Sequence, residues 1–395
     1  MQERSPSAVL GGFVPARLTI ARTARGLKQV EVADAIESTA PTISKWESDA
    51  YGQAPDSSTV SALANLLQVR PSWFYKPLPT DERAAFFRSL RSELSTARDK
   101  AAAKLRFVDD IYTTLSERVE FPAIDVPDLL DGLDYKALTL EDVDRVADQA
   151  REYWGLGDDP IEDMMVVVEN AGIVVAEDFV ESTKLDGVSR WFEDRPVMLL
   201  ARDKSGAVRR RFDAAHELGH LIMHQRVRPS DLARDLALIE EQAMAFAGAF
   251  LLPTSSFAGE IQDVSLDSLA DVKPKWKVSI GAMIKRLSGL NLITEDHARN
   301  LWKYYSYRKW RGNEPYDQAM EVERPVNLKV AVEMIAEDGA AEVVTMLDEI
   351  GLHAPDLVQL TGVESSVLDV QPPQKPRLRI VRRDEDAGDL KAAND

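Results

Sequence analysis

At 395 residues the chain is too long for one compact core, and an apolar content of 45 % is enough to fill two or more. The absence of cysteine excludes disulfides and thiolate metal ligands, leaving nitrogen and oxygen donors for any bound metal. A formal net charge of −18 excludes a surface coated all over in nucleic acid, so any DNA contact must be local.

The opening MQERSPSAVLGGF lacks the basic start and long apolar run of a secretory signal, and no later stretch approaches the roughly 20 apolar residues that span a bilayer. The expectation is a cytoplasmic protein with no membrane contact. The first unit, residues 1–79, packs short helical patterns between turns and ends at the proline-interrupted WFYKPLPT. Within it one helix ends near Gly26, and a second runs from Gln29 to Ile36 with Val30, Ala33 and Ile36 inward. After a turn at Glu37 to Thr39, PTISKWE forms a third, with Pro41 suited to its first turn. Ile43 and Trp46 would face inward and turn Ala40, Ser44 and Lys45 outward. Two short helices joined by a tight turn let the second lie in the major groove of double-stranded DNA.

GLKQVEVADAI, TISKWE and LANLLQVRPSWF together resemble the XRE family of phage-repressor-like helix-turn-helix domains, over about residues 15–75. The resemblance implies an all-α DNA-binding domain in which Gln29, Thr39, Ala40, Pro41, Thr42, Ser44 and Lys45 face the DNA operator. Arg17, Arg22, Arg25 and Lys28 would then offer phosphate contacts. Because Ala40 and Pro41 provide only apolar contact, selectivity would lean on Lys45, Ser44 and Gln29. Repressors of this type commonly act as dimers, so a homodimer is expected by the same resemblance.

Residues 80–134 read as a helical linker rich in both signs of charge, with Phe86, Phe87, Leu90 and Leu94 at helical spacing. This is a connecting helix or a dimer contact. A new α+β unit over 135–265 then reads helix, helix, strand (GIVVAED), strand (GVSRWF), turn, strand (VMLLAR), helix (RRFDAAHELGHLIMH), helix (LALIEEQAMAFAGAFLLP).

The first of the last two helices holds His216, Glu217 and His220 as H-E-x-x-H. Four helical residues turn about 400°, so the two imidazoles share a face and can share a metal ion. Glu217 stands beside them as a general base. A third protein ligand is needed, and Met223 and Arg226 stand where the metzincin pattern requires glycine and histidine. Glu240, on the next helix and twenty residues beyond His220, supplies one instead. The neighbouring Glu241 lies about 100° around the helix and reads as solvated. His224, one turn past His220, reads as a surface or capping histidine.

RRRFDAAHELGH, the GVSRWF–EDRP–VMLL hairpin, and Glu240, Ala243, Phe246, Ala247 with a closing LLP are similar to the ImmA/IrrE family of zinc-metallopeptidase-like domains, over about residues 152–253. The resemblance implies a zincin-like fold, zinc (Zn2+) held by His216, His220 and Glu240, and Glu217 as catalytic base. Met244 replaces the asparagine or aspartate usual in that family, so a hydrogen bond orienting a ligand imidazole must come from elsewhere. The GVSRWF strand offers an edge on which an extended peptide substrate is laid as an extra strand.

Beyond it, 266–370 reads as a mostly helical C-terminal region. Its Lys273, Lys275, Lys277, Lys285 and Arg286 form a basic surface, and VNLKVAVEMIAEDGAAEVVTMLDEIGL is an amphipathic stretch suited to pairing subunits. The polar, proline-bearing 371–395 is expected to be disordered. Three functions compete: a regulator that cleaves a repressor or itself, a regulator whose metallo-domain senses without turnover, and a protease whose helix-turn-helix docks a protein.

Overall fold

The computed structural model describes residues 12–78, 85–86, 95–179, 186–203, 206–261 and 263–369. The tail 371–395 and Phe87 to Leu94 lie outside the described residues. The N-terminal helices are α1 (Pro15–Ala24), α2 (Gln29–Ala35), α3 (Ala40–Trp46) and α4 (Ser57–Leu67). A long α5 (Ser95–Leu115) is followed by α6 (Leu140–Tyr153) and α7 (Met164–Asn170). Strands β1 (Val174–Asp178), β2 (Gly187–Phe192) and β3 (Arg195–Ala201) lead to α8 (Ala207–Met223) and α9 (Pro229–Leu251). Then come α10 (Thr254–Glu260), α11 (Leu266–Trp276), α12 (Ile280–Gly289), α13 (Glu295–Tyr307), α14 (Asn327–Glu337), α15 (Ala340–Ile350), α16 (Ala354–Thr361) and α17 (Ser365–Leu368). No described helix is by itself long and apolar enough to cross a membrane.

The sheet divides the molecule. Its order is β1-β3-β2, with β1 parallel and β2 antiparallel to β3, so the central strand is the last in sequence. Side chains alternate across a strand. Val175, Trp191, Met198 and Leu200 therefore join a core built on α6 to α13, while Val174, Ala176, Val188, Phe192, Val197 and Leu199 join a second core. That second core contains α5, the buried residues of the helix-turn-helix and the apolar faces of α14 to α17.

The connecting segment is itself part of the core at α5. Leu105, Phe107, Val108 and Ile111 are fully buried, and its buried charges are paired, Lys104 with Asp178 and Arg106 with Asp109 at 2.7 Å. The helical spacing over Phe86 also misleads, since Phe86 forms an antiparallel bridge to Ser189 of β2. The amphipathic stretch read as a subunit contact turns Leu328, Val332, Val343, Met346 and Ile350 into its own chain's second core.

The N-terminal helices are clamped to this body. Arg17 is 1 % exposed, pairs with Asp110 of α5 through its two terminal guanidinium nitrogens, and lies 4.4 Å over the Trp73 ring. Trp73 in turn packs edge-on to Phe107 at 4.9 Å. Arg25 forks onto Asp356 at 2.6 and 2.7 Å, and Arg70 N–H donates to the Gly351 carbonyl at 2.8 Å. Removing one partner of a buried ion pair leaves the other charge unpaired, which costs about 3–5 kcal/mol. Asp110→Ala is therefore expected to lower unfolding stability by about that amount in urea titrations, and an unchanged midpoint would contradict the clamp.

Candidate metal centre and DNA-facing helix

Helices α8 and α9 cross closely because of one residue. A Cβ built at Gly219 would stand 2.9 Å from Phe246 Cδ1, so only glycine lets α9 approach the histidine face of α8. The base of α8 is fixed by three consecutive arginines: Arg209 to Asp186 at 2.6 Å, Arg210 to Glu177 at 2.8 Å, and Arg211 to Glu323 at 2.5 Å. Inside α9, Asp235 leaves helical geometry at φ −110°, and its carboxylate accepts a 2.6 Å hydrogen bond from the Tyr135 hydroxyl.

This crossing brings His216, His220 and Glu240 together, the one such donor group among the described residues. The two Nε2 atoms are 3.1 Å apart, and Glu240 places Oε2 3.4 Å from His216 Nε2 and Oε1 3.2 Å from His220 Nε2. A tetrahedral ion with bonds of about 2.0–2.1 Å needs ligand atoms about 3.3 Å apart. Both buried Glu240 oxygens lack a conventional hydrogen-bond partner. A buried carboxylate left facing two imidazole nitrogens fits a bound cation.

His220 is held by a chain of neutral groups. Its Nδ1 lies 3.0 Å from His224 Nδ1, and His224 Nε2 lies 3.0 Å from Gln242 Oε1. The Gln242 amide then donates to the Tyr135 carbonyl at 2.7 Å. Only one polarity satisfies every member: with His220 Nε2 turned to the metal, Nδ1–H donates to His224, and His224 Nε2–H donates to Gln242. Burial, reinforced by His220, lowers the His224 pKa to about 3, so the imidazole stays neutral and keeps a lone pair for His220. This corrects the surface reading of His224, which is fully buried. The signal was present as a third histidine at helical spacing, but its partner Gln242 sits on another helix. His216 has no such support, since its buried Nδ1 lacks a partner, in keeping with Met244.

Glu217 is 3 % exposed and accepts a 2.6 Å hydrogen bond from the Ser189 hydroxyl of β2. Burial pushes its carboxyl well above the ordinary range, and the Ser189 bond opposes that rise. Gly187 makes the room, for a Cβ there would stand 2.9 Å from Glu217 Oε1. Ser189 and Gly187 were not singled out in the sequence, although both share the inward face of β2. Glu241 is exposed.

On the N-terminal side, α3 turns Thr39, Pro41, Ser44 and Lys45 to solvent, with Ala40 and Thr42 half-buried and Ile43 fully buried. Thr39 caps α3, its hydroxyl 2.8 Å from that of Thr42. The inward set of α2 differs from expectation: Val32 is buried and Val30 is 49 % exposed. Arg17 is the firmest correction, because its burial against Asp110 keeps it from any phosphate. Arg22 and Gln29 both bind Glu47, at 2.5 and 2.7 Å, and Arg25 is taken by Asp356. Lys28 remains exposed. In the C-terminal region Lys273 is buried between Glu314 and Asp317, Lys275 pairs with Glu260 and Arg286 with Asp144, which removes most of the basic surface expected there.

A mixed three-stranded sheet backed by a helix bearing H-E-x-x-H, with a carboxylate from the following helix, defines a metallopeptidase-type domain. Residues 168–288 match the family model for the IrrE N-terminal-like domain, a peptidase family, and residues 18–74 match the model for the helix-turn-helix. The chain therefore joins a DNA-binding helix-turn-helix domain to an IrrE-like domain with a candidate metal site. No curated protein matches it.

Outer partners of a ligand imidazole typically govern about 10–100-fold in metal affinity. Gln242→Leu is expected to weaken metal binding by about that factor in chelator competition, and an unaltered affinity would remove the relay. Gly219→Ala should weaken it as well by forcing α9 outward, without changing the ligand set.

Proposed function

We propose that this protein is a DNA-binding transcriptional regulator whose metallo-domain is a zinc-dependent endopeptidase, acting on a repressor or on its own chain to change transcription. The observation that carries this reading is the mutual 3.1–3.4 Å spacing of the His216, His220 and Glu240 donors beside a buried Glu217, in a chain whose α3 exposes Pro41, Ser44 and Lys45. Two imidazoles and one carboxylate suit zinc and leave coordination positions open, as catalytic sites require. Zinc held there would supply Lewis-acid polarisation of water and of a scissile carbonyl.

The chain's own groups do the rest. Glu217 holds and releases the proton at its carboxylate, taking it from water and returning it to the leaving amine. Ser189 fixes the carboxylate in place by donating to Oε2. His224 and Gln242 keep His220 in one tautomer. The outer edge of β2, where the Phe86 N–H donates to the Ser189 carbonyl, is the edge to which an extended peptide would add. The protein would act in the cytoplasm as a homodimer on a palindromic operator, consistent with how helix-turn-helix proteins commonly read two half-sites.

A second reading, a metal-loaded domain that senses a ligand or partner without turnover, is favoured by the unsupported His216 Nδ1. Glu217→Gln separates the two. The peptidase reading expects metal content to be kept while cleavage and the regulatory response are lost; a response that survives with metal bound supports the sensor. For the DNA-facing helix, Lys45→Ala and Lys28→Ala are each expected to reduce the salt dependence of operator binding by about one counterion. Unchanged gel shifts for the double variant would favour protein docking by this domain instead.

A further inference from the structure

The outer edge of β2 already carries a short piece of this chain. β2 pairs with β3 on one side only. On the other, the Phe86 N–H donates to the Ser189 carbonyl at 3.0 Å, in an antiparallel bridge. Ser189 is the same residue whose hydroxyl holds Glu217. The Phe86 ring lies flat on the His220 imidazole, centroids 4.9 Å apart and planes 8° apart, and 5.9 Å from His224, leaving the residue 2 % exposed. Backbone paired to the edge strand and a side chain seated on a ligand imidazole together are how an extended peptide is captured by strand addition.

We infer that Ala85–Phe86, from between the helix-turn-helix and α5, is an intramolecular occupant of the peptide groove, and that the groove accepts extended peptides bearing a large aromatic residue at the position Phe86 fills. This rests on the peptide-binding reading of the site and adds its substrate preference and its regulation. Among the described residues the contact on this edge is the Phe86–Ser189 bridge, and a peptide added to the same edge competes for it. A competing peptide must first expel it, so the apparent affinity is reduced by the fraction of molecules with a vacant groove. The ring is received by the His220 and His224 imidazoles, with Tyr135 edge-on to His224 at 5.9 Å, and this stacking favours an aromatic guest over an aliphatic one.

The test uses the full metal-loaded chain and a fluorescein-labelled peptide, Ala-Ala-Phe-Ala-Ala, with an all-alanine peptide as control. Anisotropy is expected to show Phe86→Ala binding the phenylalanine peptide about tenfold more tightly than the wild type, with no comparable gain for the control. Equal affinities for wild type and variant, or no binding to either, overturn the inference. Should Phe86→Ala fail to fold, hydrogen exchange on the wild type decides: saturating phenylalanine peptide is expected to release the Phe86 amide while β2 stays protected, and an amide that stays protected overturns it. Tighter binding without cleavage would sink the peptidase reading alone. Cleavage that is indifferent to Phe86→Ala would sink this inference alone.

Discussion

The structure of the metallo-domain turns on the Glu240 carboxylate, whose buried oxygens face two imidazole nitrogens in an arrangement that fits a bound cation. Its neighbours are two imidazole nitrogens, and the relay through His224 and Gln242 directs the His220 nitrogen to present a lone pair rather than a proton. The rest of the metallo-domain serves that convergence. Gly219 permits the crossing of α8 and α9, the break at Asp235 lies one turn before Glu240, and three arginines pin the start of α8 to the sheet, to Asp186 and to Glu323.

A second constraint is electrostatic. In a chain with formal charge −18, most arginines and lysines near the helix-turn-helix are consumed by internal acids, Arg17 by Asp110, Arg22 by Glu47 and Arg25 by Asp356. The first and last of those pairs weld the N-terminal helices to α5 and α16, so the helix-turn-helix and the metallo-domain share structure through α5, whose far side lies on the sheet. What remains for a groove is a small face of α3 with Lys45 and Ser44, supported by Lys28.

Much of the site was legible because helical spacing is a geometric fact. His216 and His220 share a face wherever that stretch is helical, and a third ligand had to come from the next helix. Both family resemblances hold, since residues 18–74 and 168–288 match the corresponding family models, and their motifs encode turns and faces. The unreadable parts depended on long-range partners. Arg17 looks like any basic residue on a helix until Asp110, from α5, closes on it. The α5 segment reads as a charged linker, yet Lys104 finds Asp178 on β1 and Arg106 finds Asp109 one turn along its own helix. Val30 and Val32 differ by two positions, and a seven-residue helix is too short for periodicity to decide which points inward. Phe86 followed a helical pattern in sequence while tertiary pairing drew it onto a strand.

X-ray absorption on the purified chain after dialysis against zinc addresses the ligand set directly. The account predicts one tightly held ion per chain with a light-atom shell at about 2.0–2.1 Å that contains the multiple-scattering pattern of two imidazoles. A chain that retains no metal, or an ion surrounded by oxygen donors alone, would contradict the convergence of α8 and α9 on which everything else depends.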